Sequence, residues 1–218
     1  MLTIYGALRS RVTRCIWLAH EIGLPFKHVP VMQAYRLADP DAPDAPLNTR
    51  SPAFRKVNPN GHIPSIDDDG LVLHESLAIN LYLAKRYGGA LGPADIAEDG
   101  KMGMWSLWAA TEVEPHSIQV LYHRASYPPE KRDPAVVQAA IDALRAPFGV
   151  LDRELSESSF LVGDRFTVAD INVAEVVRYA LPASELFAAT PALRGWLAAC
   201  HARPAYKRIM ADREREPE

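Results

Sequence analysis

Cysteine is scarce. Cys15 and Cys200 are the only two in 218 residues, too few for a disulfide framework, and they read as free thiols of a reducing compartment. Charge of either sign is equally unremarkable: 24 Lys and Arg face 27 Asp and Glu, for a net charge of -3. That balance excludes the basic field expected of a protein that grips nucleic acid or an anionic membrane. No apolar run approaches the roughly 18 residues of a membrane-spanning helix. The opening MLTIYGALRSR lacks the charged, apolar and small-residue regions of a secretory leader. These absences together predict a cytoplasmic protein. What remains is an ordinary globular composition, 48% hydrophobic and 23% charged. The length suits one large domain or two modest ones.

The first 87 residues alternate strand and helix patterns. LTIYG is a short β-type run, and Val12, Cys15, Ile16, Ala19 and Ile22 follow at helical spacing up to Gly23 and Pro25. FKHVPV predicts a second strand near a sheet edge, because of Pro30. The proline-rich DPDAPDAP leads to a short irregular helix around SPAFRKV. Next come HIPSI, a turn at DDDG, the strand LVL, and a helix from Ser76 to Tyr87 stopped by Gly88 and Gly89. The order is βαβ, α, ββ, α, which is a small α/β layer.

Strand patterns end near residue 98. KMGMWSLWAATEVEPHSIQVLYHRA is one long helical pattern with a kink expected at Pro115. A second helix carries Val137, Ile141, Leu144, Phe148, Leu151 and Leu155, with Pro147 a second expected distortion. TVADINVAEVVRYAL, PALRGWLAACHAR and PAYKRIMADRE each begin on Thr or Pro and continue the all-helical half. The domains expected are 1–87 and 99–218, joined by a glycine-rich linker at 88–98. In TVAD, Thr167 and Asp170 have capping-box spacing, with Phe166 and Ile171 placed for a hydrophobic staple, which is a structural role.

One stretch, NPNGHIPSI at 58–66, is awkward. From His62 to Ile66 it reads as a short buried strand, yet Pro64 removes a backbone donor that a central strand needs. Either the strand lies at an edge or the proline serves another purpose. NPNGHIPSI resembles the N-P-x-G-x-[IV]-P stretch of the cytosolic glutathione transferases. HESLAI resembles their [EQ]-S-x-A-I helix start, and FLVGDRFTVADI their C-terminal G-x-x-[FLP]-[ST]-x-A-D pattern. All three stand in the family's order across nearly the whole chain, and they most resemble the serine-type, theta-, delta- or phi-like members of bacterial type.

The resemblance implies a thioredoxin-like α/β domain followed by an all-α domain, acting as a homodimer. It also implies glutathione as co-substrate, a small hydrophobic electrophile as second substrate, and no metal. In the family the proline at the Pro64 position is cis, turning the preceding residue so that its backbone binds glutathione's cysteinyl unit. Cis costs only about 0.5 to 1 kcal/mol before proline, and Ile63 would then offer its amide. Ser76, as N-cap of its helix, suits the γ-glutamyl carboxylate, and Glu75 beside it suits the ammonium. His62 matches the position that contacts the glycine end.

A free thiol of pKa about 8.5 is only a few per cent thiolate at neutral pH. Lowering it by roughly two units takes about 2.7 kcal/mol, which one hydroxyl donor aided by a helix N-terminus supplies. Ser10, in the loop after the first strand, resembles the catalytic serine of the serine-type classes. Tyr5, Thr13 and Cys15 are the other candidates, with Cys15 set inside an apolar pattern. Trp105, Trp108, Glu112, His116 and Tyr122 recur on roughly one side of the long helix and are the candidates for the electrophile pocket. The alternatives are a glutathione-dependent isomerase or dehalogenase, and a non-catalytic ligand carrier. RSRVTRC departs from the S-S-C pattern of the maleylacetoacetate isomerases.

Overall fold

The computed structural model describes residues 1–216. Met1–Gly89 form one compact unit, which also takes in the last helix, and Ala90–Arg203 form a second. In the first unit β1 (Leu2–Tyr5), α1 (Val12–Glu21), β2 (Phe26–Val29), α2 (Pro52–Arg55), β3 (Ser65–Asp68), β4 (Leu71–His74) and α3 (Ser76–Tyr87) follow the predicted order. The sheet runs β2-β1-β3-β4, with β1 parallel to β2 and antiparallel to β3. The edge position expected for the FKHV strand is therefore found. β3 and β4 form a hairpin whose two-residue turn, Asp69-Gly70, has φ of 51° and 93°, the positive pair that matches hairpin twist.

The strand expected from His62 starts three residues later, at Ser65. It lies inside the sheet, paired on both sides by β1 and β4. An internal strand needs all its donors, and Pro64 sits just ahead of the ladder, so the edge-strand alternative is excluded.

The apolar stripe of α1 predicts one buried face, but every residue from Val12 to Ala19 is buried. The cause lies at the far end of the chain. The last helix, α10 in chain order (Pro204–Arg215), packs on α1, with the Tyr206 and Trp17 rings edge-on at 4.8 Å. Those residues were expected in the helical domain; their apolar face instead completes the cover of α1.

The second unit is helical: α4 (Ile96–Trp108), α5 (Glu114–Leu121), α6 (Pro134–Glu157), α7 (Val168–Val177), α8 (Ser184–Ala189) and α9 (Pro191–Ala202). The expected linker, 88–98, is partly helical, because Asp95 caps α4 by accepting from the Glu98 amide at 2.8 Å. Glu98 in turn meets Arg165 at 2.6 Å, and that bond, with help from the Ala94 amide, holds its carboxyl at a pKa of about 2. The distortion expected at Pro115 takes the form of a π-turn at Ala109–Val113, with a second at Tyr122–Ser126. α6 runs through Pro147 without a break; Ala143, whose carbonyl Pro147 cannot serve, is exposed to water. Thr167 and Asp170 form the capping box, and the buried Asp170 carboxylate also accepts from Leu161 N and Trp196 Nε1. Among the described residues, no helix is long and apolar enough to cross a membrane.

Candidate functional site

Between β1 and α1 the chain makes a loop, Gly6 to Arg11. His28 of β2 reaches the Gly6 carbonyl at 2.7 Å, so its Nε2 carries the proton. Gly6 has φ of 146°, and a β-carbon there would come within 3.2 Å of both Val12 Cβ and Ile63 Cβ. Only a glycine lets the two backbones approach this closely. Ser10 is half-buried at the mouth of α1. Its hydroxyl donates to the Ala7 carbonyl at 2.6 Å and accepts from the Val12 amide at 3.2 Å. Ser10 is thus placed among the first amides of the helix, where the backbone favours negative charge.

The second loop precedes β3. The Ile63-Pro64 peptide is cis, as the resemblance implies. Asn58, fully buried, braces this turn from within: its Nδ2 donates to the His62 carbonyl at 2.8 Å and to Ser65 Oγ at 3.1 Å, while its Oδ1 accepts from the Asn60 amide. Gly61 has φ of 63° and passes so close to the Thr49 carbonyl that a β-carbon would sit 2.5 Å from it. The His62 side chain is exposed and Ile63 half-buried.

The third segment is the start of α3, and here the expected capping differs. Glu75, not Ser76, is the N-cap residue; its carbonyl takes the Ile79 amide at 2.8 Å. Ser76 is the first helical residue, buried, and its hydroxyl accepts from Arg14 Nη1 at 3.1 Å. Arg14 outcompetes the helix amides for that oxygen because it is itself almost wholly buried and a buried guanidinium must be hydrogen-bonded. Glu75 has φ of 73° and ψ of 104°, a conformation costing a residue other than glycine on the order of 1 to 3 kcal/mol. Its side chain is exposed and meets no described partner.

The three segments converge. Gly6 lies against Ile63, Arg14 ties α1 to Ser76, and Cys15 Sγ donates to the Ser76 carbonyl at 3.8 Å. A hydroxyl at a helix mouth, a turned backbone and a carboxylate beside a helix start suit a tripeptide with a thiol and a γ-glutamyl end. Residues 4–91 match the family described as glutathione S-transferase, N-terminal domain, and residues 115–204 match its C-terminal domain. The chain is 30% identical over 217 residues to glutathione S-transferase GstB of Escherichia coli strain K12, covering 96% of this chain and 98% of that protein. The chain belongs to the glutathione transferase family. Glutathione S-transferase 3 of Zea mays is 31% identical, over 96% of this chain and 93% of its own. Among solved structures, the theta class glutathione S-transferase of Xanthomonas axonopodis pv. citri with glutathione bound is 29% identical, with a TM-score of 0.78 and 95% of each chain covered. Glutathione S-transferase III in apo form gives 0.81 at 30% identity, over 100% of this chain and 99% of that one.

Within this family frame the other hydroxyl candidates are occupied differently. The ring of Tyr5 packs on Phe54 at 6.3 Å. Thr13 is buried and turned back to the Ser10 carbonyl at 3.1 Å. Cys15 is fully buried and packed.

The five residues expected on one side of the long helix differ in their surroundings. Trp105 and Trp108 meet edge-on at 5.3 Å, Trp105 being buried. Glu112 is exposed, His116 is half-buried, and Tyr122 stacks on Tyr127 at 5.1 Å. The first π-turn falls among them and adds a residue to one turn. Sequence reasoning missed Asn58, Arg14 and His28. Asn58 carried a signal, standing two residues before another Asn and a Gly in a turn pattern; Arg14 and His28 carried none.

Proposed function

We propose that this protein conjugates glutathione to small hydrophobic electrophiles, with the Ser10 hydroxyl donating a hydrogen bond to the bound thiolate. The observation carrying the reading is the convergence of the Ser10 loop, the Ile63-Pro64 turn and the start of α3. Ser10 has one proton to give, and without ligand it goes to Ala7 O. A neutral hydrogen bond contributes about 0.5 to 1.5 kcal/mol net and one to a charged group about 1.5 to 3, so the exchange toward a thiolate is favourable. With its proton released to solvent and held there as thiolate, the sulfur attacks the electrophilic carbon and forms a carbon–sulfur bond while the leaving group departs with the bonding electrons.

Ile63 offers its backbone to the cysteinyl unit, with Pro64 holding the turn. Ser76 and the α3 amides receive the γ-glutamyl carboxylate, Glu75 the ammonium, and His62 the glycine end. Trp105, Trp108, Glu112, His116 and Tyr122 remain the candidates for electrophile contact. The exposed carboxylate of Glu75 supports its part: Glu75→Ala should weaken glutathione by roughly 1.5 to 3 kcal/mol. Calorimetry at neutral pH measures this, and an unchanged affinity would remove Glu75 from the site. Absence of any binding at millimolar glutathione would sink the whole reading.

The protein acts in the cytoplasm as a homodimer. Exposed apolar side chains support the dimer: Leu71 and Val72 on the edge strand β4, 43% and 39% exposed, and Met104 and Leu107 on α4, 53% and 69% exposed. Light scattering at micromolar concentration tests it, a monomer being the contrary result.

A further inference from the structure

The loop that carries Ser10 is held by residues from the other end of the chain. The Glu216 carboxylate, just beyond α10, accepts from two consecutive amides, Leu8 N at 2.6 Å and Arg9 N at 2.7 Å. From α10, Arg213 Nη1 donates to the Leu8 carbonyl at 3.3 Å. These partners lie 208, 207 and 205 positions from the loop residues that they hold. All the contacts are part-buried, and the charge makes the two carboxylate bonds short and strong. The clamp closes on the stretch between Ala7, which takes the Ser10 proton, and Ser10 itself.

We propose that Glu216 is a positioning residue for thiol activation: by fixing the Leu8 and Arg9 amides it sets the loop so that the Ser10 hydroxyl points where the sulfur binds. This rests on Ser10 being the donor. Glu216 touches neither substrate, and Arg213 assists by fixing the opposite side of the same peptide unit. The role has a sign that separates it from plain electrostatics. As a negative charge, Glu216 disfavours a nearby thiolate, so its neutralisation alone would lower the thiol's pKa. As a clamp it favours the thiolate, and its loss raises that pKa.

The experiment is an ultraviolet titration of the thiolate of bound glutathione in the full-length protein, run on wild type, Glu216→Gln, Arg213→Ala and Ser10→Ala. Glu216→Gln keeps one acceptor oxygen and loses the other, so the bound thiol's pKa should rise by about half a unit to one unit. That corresponds to a roughly three- to tenfold smaller thiolate fraction below that pKa. Turnover at neutral pH should fall in proportion, with KM for glutathione within about twofold. Arg213→Ala should move the pKa in the same direction by less. Hydrogen exchange at the Leu8 and Arg9 amides should accelerate in Glu216→Gln while α1 keeps its protection. A chain ended at Arg215 gives a second test if the point variant folds poorly, and it should behave as Glu216→Gln does. A shift in Ser10→Ala together with an unmoved or lowered pKa in Glu216→Gln overturns the clamp and leaves Ser10 standing. An unshifted titration in Ser10→Ala removes the donor, and the clamp's purpose with it.

Discussion

Two loops frame the candidate site, and they are held in opposite ways. The turn before Pro64 is braced from within: Asn58 reaches His62, Asn60 and Ser65, none more than seven residues away. The Ser10 loop is braced from outside, by His28 22 positions on and by Arg213 and Glu216 more than 200 positions on. The first is a local motif whose side-chain hydrogen bonds close within those nine residues. The second exists only when the chain has folded far enough to return α10 to α1. The difference suits the parts proposed for them. A backbone that meets a peptide-like ligand through its own amide gains from being rigid and self-contained, whereas a hydroxyl that must give up Ala7 for a thiolate gains from a loop whose placement is set separately from its hydrogen bond.

The largest effect should come from breaking the inner brace. Asn58 is fully buried, and Asn58→Ala takes away the acceptor of the Asn60 amide and the donor to Ser65 Oγ, and leaves the His62 carbonyl only the longer bond from Ser65 Oγ at 3.2 Å. Three lost hydrogen bonds at about 0.5 to 1.5 kcal/mol each give an expected loss of about 3 kcal/mol in denaturant-measured stability, with glutathione affinity falling more than tenfold. Stability within about 0.5 kcal/mol of wild type would show that the turn is held by other contacts.

How much of this was readable in sequence follows the same division. The α3 span from Ser76 to Tyr87 and the Thr167-Asp170 capping box were legible because all their determinants lie within a dozen residues, whereas the Pro64 turn was read only through the family resemblance, its residues alone leaving an edge strand open. The clamp was not: DREREPE reads as a solvated run of charge, and nothing local distinguishes Glu216 from Glu214. Nor was the π-turn before Pro115 legible in form, since a proline announces a distortion without saying which kind. The capping of α3 failed for a long-range reason too: Ser76 has N-cap chemistry, but Arg14, 62 residues earlier, claims its oxygen.

Acid provides a way to strain the helical unit and ask whether either loop depends on it. Burial lowers the pKa of His201 from 6.5 to about 4. Between those values the unfolded chain holds a proton that the folded one refuses. The stabilisation is complete above pH 6.5 and drains away as pH falls toward 4, by about 3 kcal/mol in all. Thermal melts stepped from pH 7 to 4 should show the decline, and His201→Leu should flatten it. An equal slope in the variant would assign the acid sensitivity to other groups.

The Ser10 hydroxyl comes next in size. Ser10→Ala should raise the pKa of bound glutathione by one to two units, equivalent to about 1.4 to 2.7 kcal/mol. Binding should change much less, because the lost bond matters for the thiolate and little for the thiol. The turnover deficit should narrow as pH passes the free thiol's pKa, where solvent has already removed the proton. A deficit of constant size across pH would point to a distorted loop and tie the serine to the outer brace alone.

The smallest effect is the one that assigns the donor. Tyr5 closes β1 and stands opposite Ser65 in the sheet, so it adjoins both loops, and its hydroxyl has no described hydrogen-bond partner. Its ring, packed on Phe54 at 6.3 Å, survives the change to phenylalanine intact. Tyr5→Phe therefore removes one oxygen and leaves the packing alone, which makes it the cleanest comparison with Ser10→Ala. If Ser10 activates the thiol, the variant should keep the wild-type thiolate titration and a turnover within about twofold, equivalent to about 0.4 kcal/mol. A rise of a full pKa unit in bound glutathione would instead move the donor from the loop to the end of the strand. The thiolate would then be activated from the sheet, where no residue beyond α10 is needed to place the hydroxyl, and the contrast between the two braces would lose its functional meaning.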